Sequence, residues 1–406
     1  MALWDEVSAN DKKGLFRSDD NTTSYPTGLL VLDYANGSWI EITNEKGEKE
    51  IIPSLGIPAG SLVSIIGSTG VGKSTLAIQI GWNIIKPFNN GMLIIEDCEK
   101  TNSRQRITNL VNAKYDEPRI KLIKSHTTID DTLDTFTAIC NAKEAGGKSF
   151  MYEVKNRSYD GKSFWMYEPT VFIIDSLPSF NGKDYNVESL GNQIDQMKAS
   201  KDITRFYTNI LDRAWKYNVI FIVINHIRPA TNINPYAAPP QGLLMISPQT
   251  ETLPRGSVPQ YFSNTYFRIK TKKSAAYTLE DDGFTGYKCE IVLAKSKTNV
   301  VGTTFPVTFN NVIGFDPVYS IYEFANSLGL IKGRNPYLTL TGFEERKFNR
   351  KEFNSLMIAD KDFREGFLRA LKPYYEVLLG SKKISEDDIE DIPVVPSEII
   401  NLDEIS

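Results

Sequence analysis

The run Gly67-Ser68-Thr69-Gly70-Val71-Gly72-Lys73-Ser74 has the spacing G-x-x-x-x-G-K-[ST]. Such glycines let backbone N–H groups curl round a phosphate, and a helix opening at the end of the run adds the positive end of its dipole. Lys73 would reach the β- and γ-phosphates of ATP, and the Ser74 hydroxyl would hold Mg2+. Gly67 to Thr75 is the expected phosphate cradle. Val171-Phe-Ile-Ile-Asp175-Ser176 is an apolar run ending in a carboxylate. At the C-terminal end of a strand, Asp175 would face the nucleotide and hold the same Mg2+. Met92-Leu-Ile-Ile-Glu96-Asp97-Cys98-Glu99 places three carboxylates at another strand end. One of them could polarise an attacking water. Others could cap the next helix, and the residue types leave open which does which.

The elements that must carry these groups are legible as short apolar runs. Leu62–Ile66, Met92–Ile95, Ile120–Ile123, Val171–Ile174 and Val219–Ile224 are rich in Ile and Val and bounded by polar or turn residues. Runs apolar on both faces suit parallel strands covered by helices on both sides. Between them, 128–145 and 202–217 have helical periodicity, so strand and helix alternate as in an α/β fold. Further strands are expected at 265–273, 288–294 and 303–309, with helices near 320–328 and 361–379. Residues 148–170 read as a hairpin turning at Asp160-Gly161. Residues 229–257 hold six prolines and little periodicity, and a loop of that length is usually functional or disordered. Tyr261-Phe262 reads as core packing, with base stacking as the alternative.

Charge is uneven along the 406 residues. The 46 basic and 50 acidic residues give −4. Eight of the acidic residues, and no basic ones, lie in Ser385–Ser406, so the rest carries 46 − 42 = +4. That tail is expected to be disordered, and it either solubilises or competes with an anionic ligand for basic segments of the body. Cys98, Cys140 and Cys289 show no metal-ligand spacing and no disulfide framework, which fits a reducing compartment. The N-terminus lacks an apolar run, and no stretch is long enough for a membrane span. A cytoplasmic protein is expected.

Taken in order, further segments resemble a known family. Thr27-Gly-Leu-Leu-Val-Leu-Asp33-Tyr-Ala-Asn-Gly, the phosphate loop and the Asp175-Ser176 strand are followed by Phe221-Ile-Val-Ile-Asn225-His226-Ile-Arg228. Then come Arg255-Gly256-Ser-Val-Pro-Gln-Tyr-Phe-Ser, Lys295-Ser-Lys297, Gly314-Phe-Asp316-Pro and Asp362-Phe-Arg-Glu. From about Tyr25 to Gly380 the chain resembles the RecA-type recombinases, in particular their phage UvsX-like branch, which carries Asn-His at positions 225–226.

The resemblance implies a RecA-like P-loop ATPase core with a mostly parallel central sheet at 27–318. An N-terminal arm at 1–26 would contact a neighbouring protomer. A small C-terminal α/β unit at 319–384 and the acidic tail at 385–406 would follow. Glu99 matches the water-activating glutamate, Arg106 the position that stacks on adenine, and His226 the γ-phosphate sensor. Lys295 and Lys297 match basic residues that reach a neighbour's ATP. DNA loops are implied at about 180–202, with Lys183, Lys198 and Lys201, and at 229–257, with Arg228 and Arg255. Single- and double-stranded DNA and further copies of the chain are the implied partners, with a single-strand-binding protein and a loading mediator beside them. The hairpin 148–170 is extra to the family pattern, and the second loop is longer and richer in proline. A hexameric replicative helicase, or a non-motor ATP-binding assembly or signalling protein, would share the core. DNA-stimulated hydrolysis separates the third reading from the others, and D-loop formation against unwinding separates the first two.

Overall fold

The Ile- and Val-rich runs assemble into one nine-stranded sheet. Its strands are β1 Leu62–Gly67, β2 Met92–Asp97, β3 Ile120–Ile123, β4 Thr170–Asp175, β5 Val219–His226, β6 Thr265–Thr271, β7 Gly286–Ser296, β8 Thr304–Asn310 and β9 Gly314–Asp316. The principal helices are α1 Lys73–Ile85, α2 Ile129–Gly146, α3 Gln193–Lys216, α4 Pro317–Ser327 and α5 Lys361–Glu376. The computed structural model describes residues 23–125, 128–179, 193–229, 251–253, 258–271 and 286–379, with backbone alone at 193–200, 228–229 and 252. The acidic tail, residues 1–22 and most of both expected DNA loops lie outside the described residues.

Strand order is β9-β8-β7-β6-β1-β5-β4-β2-β3. From β6 to β3 every neighbouring pair is parallel, and β7, β8 and β9 add an antiparallel flank. The parallel part is buried on both faces, and its side chains sort by parity, since successive strand residues point to opposite sides. Leu93, Ile95, Val171, Ile173, Ile220, Ile222 and Ile224 join the cluster that packs around α1. Ile94, Phe172, Ile174, Phe221 and Val223 join a second cluster with Phe136 of α2 and Phe206 and Ile210 of α3. Each such side chain removed from water is worth roughly 1.5–3 kcal/mol, which outweighs the modest propensities of these short strands. Helix α2 starts at a capping box in which Thr128 and Asp131 satisfy each other's backbone N–H groups.

Three expected boundaries shift. Helix α3 begins at Gln193, so 193–202 is helix and not part of a loop at 180–202. Ser24–Tyr25 pairs with Ile57–Pro58, and Tyr25 is buried, so these residues belong to the body and not to an arm ending at 26. The boundary at 318/319 falls inside the first turn of α4. That helix packs on β8, and its Phe324 stacks on Tyr375 of α5 at 4.4 Å. Tyr375 in turn stacks on Tyr34 at 5.1 Å. Phe363, Phe367, Leu371 and Tyr375 form the buried stripe of α5 at i, i+4 spacing. They close over a three-stranded antiparallel sheet at 331–348 and share one apolar cluster with the core.

The stretch 148–170 contains an antiparallel hairpin, Met151–Val154 with Phe164–Tyr167, and Gly161 at its tip has φ +75°. A second hairpin, Ser38–Thr43 with Lys49–Ser54, was not foreseen and docks on the first. Thr43 Oγ1 donates to Tyr159 O at 2.6 Å, and Lys49 Nζ to the same carbonyl at 2.8 Å. Among the described residues no helix is long and apolar enough to cross a membrane. All three cysteines are free.

Candidate active site

The phosphate loop joins β1 to α1. Gly70 and Gly72 have φ +80° and +92°, a backbone region that L side chains rarely adopt. A Cβ on Gly70 would project into open space, whereas one on Gly72 would meet the Phe309 ring at 2.9 Å. The loop therefore keeps an open mouth on one side and packs on β8 at the other. Lys73 is buried, and its Nζ donates to Gly67 O at 3.1 Å and Ser68 O at 2.6 Å. Burial pushes its ammonium down to about 8, against Asp175 and Glu99, which pull it up.

Parity decides which groups share this face. Asp97 continues the register of Leu93 and Ile95, Asp175 that of Val171 and Ile173, and His226 that of Ile222 and Ile224, all on the α1 side. Asp175 lies opposite Asp97 in the register of β4 and β2, and His226 opposite Gly67 in that of β5 and β1. Asp175 is buried; it accepts from Asn102 Nδ2 at 3.1 Å and from the Ser74 hydroxyl. Burial raises its carboxyl above the usual range, and those two hydrogen bonds hold it down. One hydroxyl and one carboxylate, both hard oxygen donors, are a set that suits Mg2+ completing its shell with phosphate and water.

The three carboxylates at the end of β2 separate cleanly. Glu96 shares the parity of Ile94 and faces α2, where Thr132 Oγ1 donates to both its oxygens at 2.6 and 2.7 Å. Burial lifts its carboxyl to about 7. Asp97 accepts backbone N–H groups of Thr101 and Asn102 at 3.1 and 2.8 Å and so organises the following loop. Glu99 lies beyond the strand and faces Lys73's side. Its Oε1 accepts from the Ser176 hydroxyl and lies 3.1 Å from His226 Nε2. Burial alone would raise its carboxyl, but Ser176, His226 and Lys73 together hold it below the ordinary value. Glu99 is therefore ionised at neutral pH, partly exposed and beside the phosphate loop.

A stability prediction follows from Glu96. Its folded value of about 7 lies above the ordinary 4.5, so its neutral form favours the fold, and stability falls as pH rises from 4.5 through 7. Ionising it in place costs roughly 3 kcal/mol. Glu96→Gln is expected to raise the thermal midpoint at pH 8 and to lose that gain near pH 5. Equal shifts at both pH values would remove the assignment.

Other expected residues are placed as follows. Arg106 donates to Asn102 Oδ1 at 2.8 Å and lines a cleft of about 440 Å3 with Thr75, Asn109, Phe309, Asn311 and Gly314. That cleft adjoins the phosphate loop through Thr75. Lys295 and Lys297 are not brought to it. Thr265 pairs with Val63 near the start of β1 and with Ser296 at the end of β7, whereas Gly67 pairs with Ile269. The lysines thus sit at the opposite end of the sheet, roughly 13 Å away along β1 at ~3.3 Å per residue. Lys295 Nζ donates to the carbonyls of Gln260 and Tyr261, and burial, with Lys297 adding, holds its ammonium below the ordinary value. Lys297 is exposed.

Lys201 is exposed on α3, Lys198 lies in the same helix, and Arg228 opens a short strand. Lys183 and Arg255 lie outside the described residues. Of the aromatic pair, Phe262 stacks on Tyr207 at 5.4 Å, while Tyr261 is 74% exposed. Asn102 and Ser176 had no signal of their own; their roles arise from contacts between loops far apart in sequence.

No protein-family model matches the chain. Over 205 residues it is 27% identical to the UvrABC system protein A of Malacoplasma penetrans (strain HF-2). The matched stretch is 46% of this chain and 21% of that protein, so the chain spans about a fifth of the relative's length. The mixed α/β fold with its multi-stranded sheet agrees with a generic P-loop NTPase core.

Proposed function

We propose that the chain is an ATP-dependent DNA strand-exchange recombinase, a DNA-dependent ATPase that forms filaments on single-stranded DNA. The observation that carries this reading is the convergence of Lys73, Ser74, Asp175, Glu99 and His226 at one end of β1, β2, β4 and β5, with Lys295 and Lys297 at the other end. One end can hold a nucleotide. The other offers cations to a site on a different copy.

In this reading, residues 67–75 cradle the phosphates of ATP. Ser74 and Asp175 hold Mg2+, which neutralises phosphate charge when bound. Glu99 accepts a proton from the attacking water, for which its ionised state and its partial exposure suit it. His226, touching Glu99 and following Asn225, sits where loss of the γ-phosphate would first be felt. Arg106 lies beside the cleft that would take the base. DNA binding rests on the segments at about 180–202 and 229–257, where weak phosphate contacts repeat along a filament and make affinity salt-dependent.

Two measurements test the reading. Single-stranded DNA is expected to stimulate hydrolysis, and negative-stain images with DNA and a slowly hydrolysed ATP analogue are expected to show helical filaments. Closed rings with duplex unwinding would indicate a helicase, and no DNA response a non-motor ATPase. Glu99→Gln is expected to keep nucleotide affinity while turnover falls roughly 100-fold or more, and Glu96→Gln to leave turnover intact. The reverse pattern in phosphate-release and nucleotide-binding assays would move the general base to Glu96.

A further inference from the structure

The segment that follows His226 is tied to the phosphate-loop strand on one flank and to its neighbour β6 on the other. Arg228–Pro229 pairs antiparallel with Glu251–Thr252, a stem closing residues 230–250. On one flank, Ile227 N–H donates to Gly67 O at 3.3 Å, the carbonyl that also accepts from Lys73 Nζ. On the other flank, β6 lies parallel to β1 with Arg268 opposite Ile66. Arg268 Nη2 donates to Glu251 Oε1 at 2.8 Å, on the returning strand of the stem. The two side chains are 9% and 22% exposed, and Ile66, Leu253, Tyr266, Ala294 and Ile227 form an apolar patch beside them.

An ion pair in such a place contributes little that a well-packed apolar pair would not, yet removing Arg268 leaves the Glu251 carboxylate uncompensated. Glu251 Oε2 is also buried with no hydrogen-bond partner among the described residues. The pair therefore makes a poor general stabiliser. It is well suited to holding one strand of the stem while the other strand follows His226.

We infer that the Arg268–Glu251 ion pair is a positioning latch that pins the returning strand of the stem to β6, beside the phosphate-loop strand. A shift of His226 and Ile227 on nucleotide exchange then changes the stem's shape instead of carrying the whole stem along. Neither residue touches the nucleotide; both act through the stem. This rests on the reading of 229–257 as a DNA-binding loop controlled by the nucleotide.

The test uses the full chain and a labelled oligo-dT strand. Fluorescence anisotropy gives DNA affinity with a slowly hydrolysed ATP analogue and with ADP, and the ratio of the two affinities is the readout. Arg268→Gln is expected to lower the thermal midpoint, because it strands the Glu251 carboxylate, and at a temperature where it stays folded to keep DNA-free hydrolysis while that ratio falls ~10-fold or more, the scale of an ordinary coupling between sites. Glu251→Gln is expected to lower the ratio equally, and the double variant to be no worse than either single one, as for residues acting as one pair. An unchanged ratio in both single variants overturns the latch. So does an additive loss in the double variant, or a parallel fall in DNA-free hydrolysis. A wild-type chain whose DNA affinity ignores the nucleotide overturns the loop reading and the latch with it; coupling present in wild type and intact in the variants removes the latch alone.

Discussion

Lys73→Ala is expected to lower ATP turnover by roughly 1000-fold or more, the scale on which pre-aimed donors to transition-state charge act. It is also expected to weaken nucleotide binding roughly 10–100-fold, since hydrogen bonds to charged groups contribute ~1.5–3 kcal/mol. Both effects have one physical origin. The ammonium is buried, held by two loop carbonyls and pushed down to about 8, so it lacks a full complement of partners. A triphosphate would supply the missing negative charge in a site that excludes most water. Without phosphate, losing this buried cation should leave the thermal midpoint near that of the wild type. Turnover within ten-fold of wild type, in a variant that folds, would show that the loop 67–74 does not carry the chemistry.

The second large effect concerns Lys295 and Lys297. The double replacement by Ala is expected to keep the fold and weak nucleotide binding while DNA-stimulated hydrolysis disappears. The lysines lie at the far end of the sheet from the phosphate loop of their own chain, so any contribution to ATP must be made to another copy. Mixing this variant with Lys73→Ala should restore activity, because some interfaces then pair an intact loop with intact lysines. At equal amounts roughly a quarter of random interfaces would be complete, as for a head-to-tail assembly. Activity that stays at the sum of the two inactive proteins at every mixing ratio would exclude a shared site.

Much of this arrangement was legible because buried parallel strands leave a plain signal. Val171 to Asp175 and Val219 to His226 are apolar on both faces and end in a polar residue where the sheet meets solvent. The parity argument that separates Glu96 from Asp97 was available too, since Ile94 and Ile95 must face opposite layers. It needed the knowledge of which layer holds α1. Contacts that depend on strand order were not legible. Ser176, Glu99 and His226 come from three strand ends and meet only because β4 stands between β2 and β5. The hairpin at 38–54 was missed although Ile40 and Ile42 alternate with Glu41. With only one buried residue, Ile42, in its first strand, its pattern is weak. The start of α3 was also misplaced. Ile194 and Met197 precede Ile203 with a gap in the apolar stripe, and polar residues fill the turn between.

The stack of Tyr34 on Tyr375 has a consequence for the birth of the molecule. The two partners are 375 − 34 = 341 positions apart in the chain. At ~5–20 residues per second of synthesis, Tyr34 waits roughly 20–70 s for its partner to emerge. During that interval the phosphate loop and most of the sheet can already pair, while the face that will receive Phe324 and Tyr375 stays open to the cell. Nascent chains arrested before α5 should therefore bind an apolar-sensing dye and recruit holding chaperones, and release of the last helix should end both at once.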